Sequence, residues 1–249
     1  MDPMNPASPV FDPHATARVY GFDDVRSYQD WHGLLPDGLA GPITTASMLA
    51  PRCGCPDYQE ARGNQASWPR RCMDVSTAYE LPGLNLTPEQ IASAWKTATS
   101  LWSGACGISL ATIDDIDKAQ IWAKSKPLPG STLAWSYLPN GRCRERLEQR
   151  YDTTVDWNHD FLAKTMLHEL GHALGLTHSN NRADIMFPRI VDRPLLSYPS
   201  TNDRARVVNL YGQPVPDDNT PEPPAGPTES RITVTGGPLQ SGTYSLIKL

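Results

Sequence analysis

The chain has 249 residues and a formal net charge of −5. It contains no basic run dense enough for a nucleic-acid footprint, and no stretch approaches the roughly 18 apolar residues that a membrane-spanning helix needs. That length suits a soluble monomer with one full core plus a small extra unit or tails.

Residues 1–15 carry four prolines and little apolar periodicity, which predicts a flexible arm. The first ten residues lack the charged and apolar regions of a secretory signal peptide, so action outside the cell would require another export route or carriage in a virion. From Phe22 the pattern changes. Val25, Tyr28 and Trp31 fall at helical spacing, residues 33–41 read as a turn, and Pro42 suits the first turn of a second helix ending near Leu49. Next comes Pro51-Arg52-Cys53-Gly54-Cys55-Pro56-Asp57. On its own a Cys-x-Cys pair suits a disulfide or a small metal site. The chain has five cysteines, which fits one functional free thiol with up to two bridges among Cys55, Cys72, Cys106 and Cys143, or four reduced, buried thiols. Sequence does not choose the pairing.

A larger domain is expected over residues 65–212. Residues 75–81 read as a strand, and Thr87-Pro88-Glu89-Gln90 forms a capping box with proline at the first helical position. The helix it opens runs to about Trp102, with an apolar stripe of Ile91, Ala94, Trp95, Ala98 and Leu101. Strands are expected at 108–113, 119–123 and 133–138, with a shorter one near 153–157. The charged run 142–150, in which Glu145 and Glu148 alternate with arginines, reads as a solvated loop. A second long helix over 159–174 completes an α/β (α+β) domain with a mixed sheet.

That second helix carries Met166-Leu-His-Glu-Leu-Gly-His-Ala-Leu-Gly-Leu-Thr-His178. Residues four apart share a helix face, so His168 and His172 can bind one metal ion with Glu169 beside it. Gly175 can take the left-handed conformation that ends a helix, allowing the chain to turn back and bring in His178. Three imidazoles leave one coordination position open, the signature of a catalytic zinc rather than a structural one. After this site, Ser200 or Thr201 can cap a last helix over 202–211. Residues 213–230 are a proline-rich linker, and 231–249 a tail with the alternation of a β-hairpin.

The histidine motif resembles that of the metzincins. Ser179 and the later Ile185-Met186-Phe187-Pro188 resemble the matrixin branch, the matrix-metalloproteinase-like peptidases. The resemblance implies a zincin fold, one catalytic zinc held by His168, His172 and His178, Glu169 as general base, and Met186 as an apolar floor beneath the ligands, with Gly175 and Pro188 shaping the site. Residues 16–58 are similar to peptidoglycan-binding-like domains, which also build matrixin propeptides, and residues 51–57 to the matrixin cysteine switch. That likeness implies a zymogen in which the Cys53 thiolate occupies the open zinc position and Arg52 pairs with Asp57 to shape the loop. Cys55 stands at the motif's variable position, where it could compete for the metal or bridge to Cys53. In the family a second, structural zinc takes histidines where this chain has Trp135 and Thr154, so one zinc is expected, and Ca2+ near Pro129, Gly130 or Asp156 is left open. The implied partner is a protein or peptide substrate lying along the strand at 133–138. Peptidoglycan, bound or cleaved through the N-terminal module, is the alternative.

Overall fold

The computed structural model describes residues 11–57, 67–190 and 198–214, together with the backbone of 230–234 and 242–246. Two compact units divide the chain, residues 1–214 and 215–249.

The first unit opens with three short helices, α1 (Pro13–Val19), α2 (Val25–Trp31) and α3 (Pro42–Leu49). They enclose a small core of Ala17, Phe22, Val25, Tyr28 and Met48. Helix α1 begins inside the stretch expected to be a flexible arm. The Asp12 carboxylate accepts from the backbone N–H groups of His14 and Ala15, and Pro13 sits at the start, where its missing N–H is not needed. Residues 1–10 of the arm lie outside the described residues. Buried Gln29 of α2 donates to Asp37, the Leu39 carbonyl and Thr44, and accepts from the Gly38 N–H, which fixes the turn leading into α3.

A six-stranded sheet follows. Its strands are β1 (Arg52–Cys53), β2 (Asp74–Glu80), β3 (Ser109–Thr112), β4 (Ile121–Lys126), β5 (Thr132–Ser136) and β6 (Leu147–Asp152), in the spatial order β1-β5-β6-β4-β2-β3. All neighbours are parallel except β5 and β6. Two expectations are corrected here. Strand β6 runs through the middle of the sheet, overlapping the charged run expected to be a loop, and residues 153–157 form no strand. Leu147, Gln149 and Tyr151 are buried, while Glu148 and Arg150 lie on the opposite face and pair with each other. The period of two is therefore present, but a polar residue stands at one of its inward positions. Cys72 and Cys143 form a disulfide with Cα atoms 5.6 Å apart, and Cys53, Cys55 and Cys106 are free and buried.

Helices α4 (Pro88–Ser103) and α5 (His159–Ala173) share one apolar core with the sheet. The Thr87–Gln90 capping box forms reciprocally, and the buried stripe of α4 is Ile91, Ala94, Trp95, Ala98 and Trp102. Three side chains secure α5 through its carbonyls. Trp102 Nε1–H donates to Leu167 O (2.7 Å), Trp68 Nε1–H to Ala173 O (2.8 Å) and Tyr211 Oη–H to Leu174 O (2.6 Å). Tyr211 closes helix α6 (Thr201–Tyr211), whose N-cap is Ser200. The second unit contains an antiparallel pair, β7 (Ser230–Val234) and β8 (Gly242–Leu246), and residues 215–229 of the expected linker lie outside the described residues.

Candidate metal centre

Helix α5 delivers His168 and His172 one turn apart, and its C-terminus is built to return the chain to them. Gly175 has φ +93°, its N–H bonds to His172 O (2.7 Å), and the Leu176 N–H bonds to Gly171 O (2.9 Å). This is a Schellman motif, and its left-handed residue favours glycine. Beyond it, His178 comes back over the helix. The Nε2 atoms of His168 and His172 each lie 3.1 Å from His178 Nε2, and all three rings are buried. Backbone carbonyls fix the rings from behind, with His168 Nδ1 2.7 Å from Ile185 O and His172 Nδ1 2.7 Å from Leu176 O. These contacts place the proton on Nδ1 and turn the Nε2 lone pairs of both rings toward the common centre.

The donor set fits zinc. Tetrahedral nitrogen ligands at ~2.0–2.1 Å from the ion stand roughly 3.3 Å from one another, near the observed spacing. Cys53 Sγ, 3.5 Å from His172 Nε2, completes a four-donor cluster with the three histidines. Burial pushes the Cys53 thiol well above its ordinary range, and Cys55 and Glu169 push the same way. A cation among these groups reverses that bias.

Glu169 lies beside the cluster, fully buried, and neither carboxylate oxygen has a hydrogen-bond partner among the described residues. Burial, then the neighbouring Cys55, raises it to about 8 against the opposing influence of His172 and Cys53. A carboxyl biased toward neutrality is suited to taking up and returning a proton. Met186 is buried beneath α5. A Cβ at Gly171 would collide with its sulfur and meet Trp102 at 3.0 Å, so the helix approaches the Met186 turn closely because glycine stands there.

The N-terminal unit reaches into this centre. Strand β1 pairs parallel with β5, the Gly54 N–H bonds to Ala134 O (2.8 Å), and the Cys53 N–H bonds to Pro188 O (3.0 Å). Arg52 is buried, pairs with Asp57, and stacks its guanidinium 3.6 Å from the centre of the Tyr20 ring. Asp57 also lies 3.3 Å from His178 Nδ1.

Two further residues belong to this region. Cys55 is buried beside Cys53, with its N–H directed at Cys53 Sγ (3.3 Å) and its thiol at Ser136 O (3.4 Å). His32 Nε2 lies 2.8 Å from Asp57 Oδ2 across 25 residues of sequence, a separation at which no local spacing rule applies. Burial, followed by the charges of Arg52, Arg189 and Arg182, pushes His32 down to about 2, so it stays neutral and donates to Asp57.

Acid should therefore loosen the N-terminal unit. An exposed His32 protonates near 6.5, whereas the buried one stays neutral down to about 2. The unfolded unit then binds more protons, so stability is full above the ordinary value and declines as pH falls below it. Comparing urea midpoints at pH 7 and pH 5 checks this. His32→Gln, which keeps a donor but does not titrate, should show the smaller decline, and an equal decline in both proteins would remove His32 from the account.

The positions tied to other ions are occupied by ordinary contacts. Trp135 packs edge-on against Tyr137 with ring centres 5.0 Å apart, Thr154 Oγ1–H donates to Asp152 (2.9 Å), and Asp156 accepts from Asn85 (2.6 Å). Among the described residues, the groups of three or more close metal-ligating side chains all fall at the histidine centre.

Comparison with known proteins gives the same direction. A family model described as Matrixin matches residues 80–212. Human stromelysin-3 is 28% identical over 242 residues, covering 86% of this chain and 49% of its own length. Metalloendoproteinase 1-MMP of Arabidopsis thaliana is 27% identical over 225 residues, covering 76% and 60%. The hatching enzyme of Paracentrotus lividus is 25% identical over 204 residues, covering 76% and 34%. The chain thus spans about half the length of the first curated relatives it matches.

Proposed function

This chain belongs to the matrixin family, and on that premise we propose that it is a zinc-dependent endopeptidase held latent by its own N-terminal unit. The observation that carries the proposal is the convergence of three imidazole nitrogens beside an unpartnered buried carboxylate. In this reading His168, His172 and His178 hold the metal. Zinc, when bound, supplies Lewis acidity that acidifies water and polarises a carbonyl. Glu169 accepts a proton from the attacking water and returns it to the leaving amine, which its bias toward protonation near neutrality supports. Substrate lies as an extended segment along β5, the strand that β1 now covers.

Latency follows from the same contacts. The Cys53 sulfur takes the position that water needs, and the buried Arg52–Asp57 pair holds the loop that presents it. A wall-binding role for residues 16–58 is not favoured, because the end of that unit is engaged with the centre. The test uses the chain cleaved after residue 60 and an unfolded protein substrate. Hydrolysis should cease with a zinc chelator and return on adding zinc, with one zinc per chain by elemental analysis. Hydrolysis that persists in chelator, or two tightly held zincs, would contradict the proposal.

A further inference from the structure

The geometry points to Cys53 and Cys55 as a redox pair: a disulfide between them withdraws the Cys53 sulfur from the histidine cluster and activates the chain without cleavage. This inference rests on the assignment of Cys53 as the inhibitory ligand. Cys55 departs from the switch pattern, and the fold gives it no other cysteine to pair with. Cys72 is joined to Cys143, and the Cys106 thiol is turned to Trp102 O (3.5 Å) in the core between α4 and the sheet. The sulfurs of Cys53 and Cys55, a His172 ring nitrogen and a Glu169 oxygen all lie within 4.8 Å of one another. Cys53 therefore has two competing partners within reach, the histidine cluster and the Cys55 thiol.

The residue between them makes the arrangement fixed rather than incidental. A Cβ on Gly54 would stand 2.7 Å from Thr132 Cγ2 and 3.4 Å from Trp135 Cβ, and the Gly54 N–H bonds to Ala134 O. The Cys53-Gly54-Cys55 segment is pressed against β5 with both sulfurs on the side of the centre. Cys55 is 7% exposed and Cys53 0%, so a small oxidant meets Cys55 first.

With hydrogen peroxide as oxidant the chemistry balances. The Cys55 thiolate attacks one peroxide oxygen, the O–O bond breaks, and the departing hydroxide takes a proton to become water, leaving a sulfenic acid. The Cys53 thiolate sulfur then attacks that sulfenic sulfur, the S–S bond forms, and the hydroxide that leaves takes a proton from solvent to become the second water. Two electrons pass from the sulfurs to the peroxide. The Cys53 sulfur is then no longer a thiolate, the form that binds zinc, and the fourth position opens to water.

The experiment treats the intact, zinc-loaded chain with graded hydrogen peroxide, blocks remaining thiols, and measures hydrolysis together with the mass of the tryptic peptide 53–62. The expected result is a loss of roughly 2 Da in that peptide, with neither cysteine blocked, rising in parallel with at least about a tenfold gain in hydrolysis. Dithiothreitol should reverse both changes. Cys55→Ser should stay latent and fail to respond at the same dose. Disulfide formation without activation would overturn the inference, as would activation of wild type and Cys55→Ser alike with Cys53 carried to its sulfinic acid. The Cys53→Ser arm separates the two levels. If it is active while wild type forms no disulfide, only the redox pairing fails; if it is as inactive as wild type, the assignment of the inhibitory ligand fails first.

Discussion

Glu169→Ala, in the chain freed of residues 1–60, is expected to lower peptide hydrolysis by ~10²–10⁴ while zinc content stays at one per chain. The separation of the two readouts follows from geometry. The ligand nitrogens come from His168, His172 and His178, and the backbone carbonyls of Ile185 and Leu176 keep the rings of His168 and His172 in place whether or not the carboxylate is present. Glu169 is buried in the same helix turn but outside the four-donor cluster of Cys53 and the three histidines. Glu169→Gln is the stricter comparison, because it preserves volume and removes only the ability to hold a proton. Near-normal turnover in either variant, or loss of the metal in Glu169→Gln, would show that the carboxylate has another role.

Cys53→Ser is expected to make the uncut chain active, with hydrolysis at least about tenfold above the intact wild type, since tenfold corresponds to only ~1.4 kcal/mol of lost metal affinity. Thiolate is a far better zinc ligand than a hydroxyl, so the substitution shifts the fourth position toward water. Activation should still fall short of that reached by cleavage, because the rest of the segment stays docked. Arg52 keeps its pair with Asp57, and β1 still covers β5. Removing residues 1–60 takes away both the ligand and the covering strand. An uncut Cys53→Ser chain with wild-type latency would mean that coverage of β5 alone suffices for inhibition, whereas equal activity in cut and uncut variants would mean that coverage contributes nothing.

Local chemistry explains which features could be read from sequence. The ends of α5 are set by Asn158 as N-cap and by Gly175, and the start of α4 by Thr87 and Gln90. Each of these signals acts within one helical turn, and the expected boundaries agree with the structure to within a residue or two. Met186 and Pro188 belong to a short segment whose residues follow closely on His178, so their place near the centre follows from chain continuity. Strand β6 has no apolar signature in the sequence because burial of a strand is decided by its neighbours. Gln149 is buried through hydrogen bonds to Ser136 and Tyr151, which a hydrophobic pattern does not register. The beginning of α1 was hidden by prolines that read as an arm, although Pro13 is placed where a helix accepts one. The link between His32 and Asp57 and the bridge between Cys72 and Cys143, 71 residues apart, are products of folding with no local signature.

Zinc-edge X-ray absorption of the intact chain tests most directly the claim that one metal is held by three histidines and silenced by a thiolate. Wild type should show nitrogen scatterers at ~2.0–2.1 Å and a single sulfur at ~2.3 Å, and the sulfur should disappear, leaving three nitrogens and an oxygen, in both Cys53→Ser and the chain cleaved after residue 60. A first shell without sulfur in the intact latent protein, or a sulfur retained in Cys53→Ser, would contradict the account.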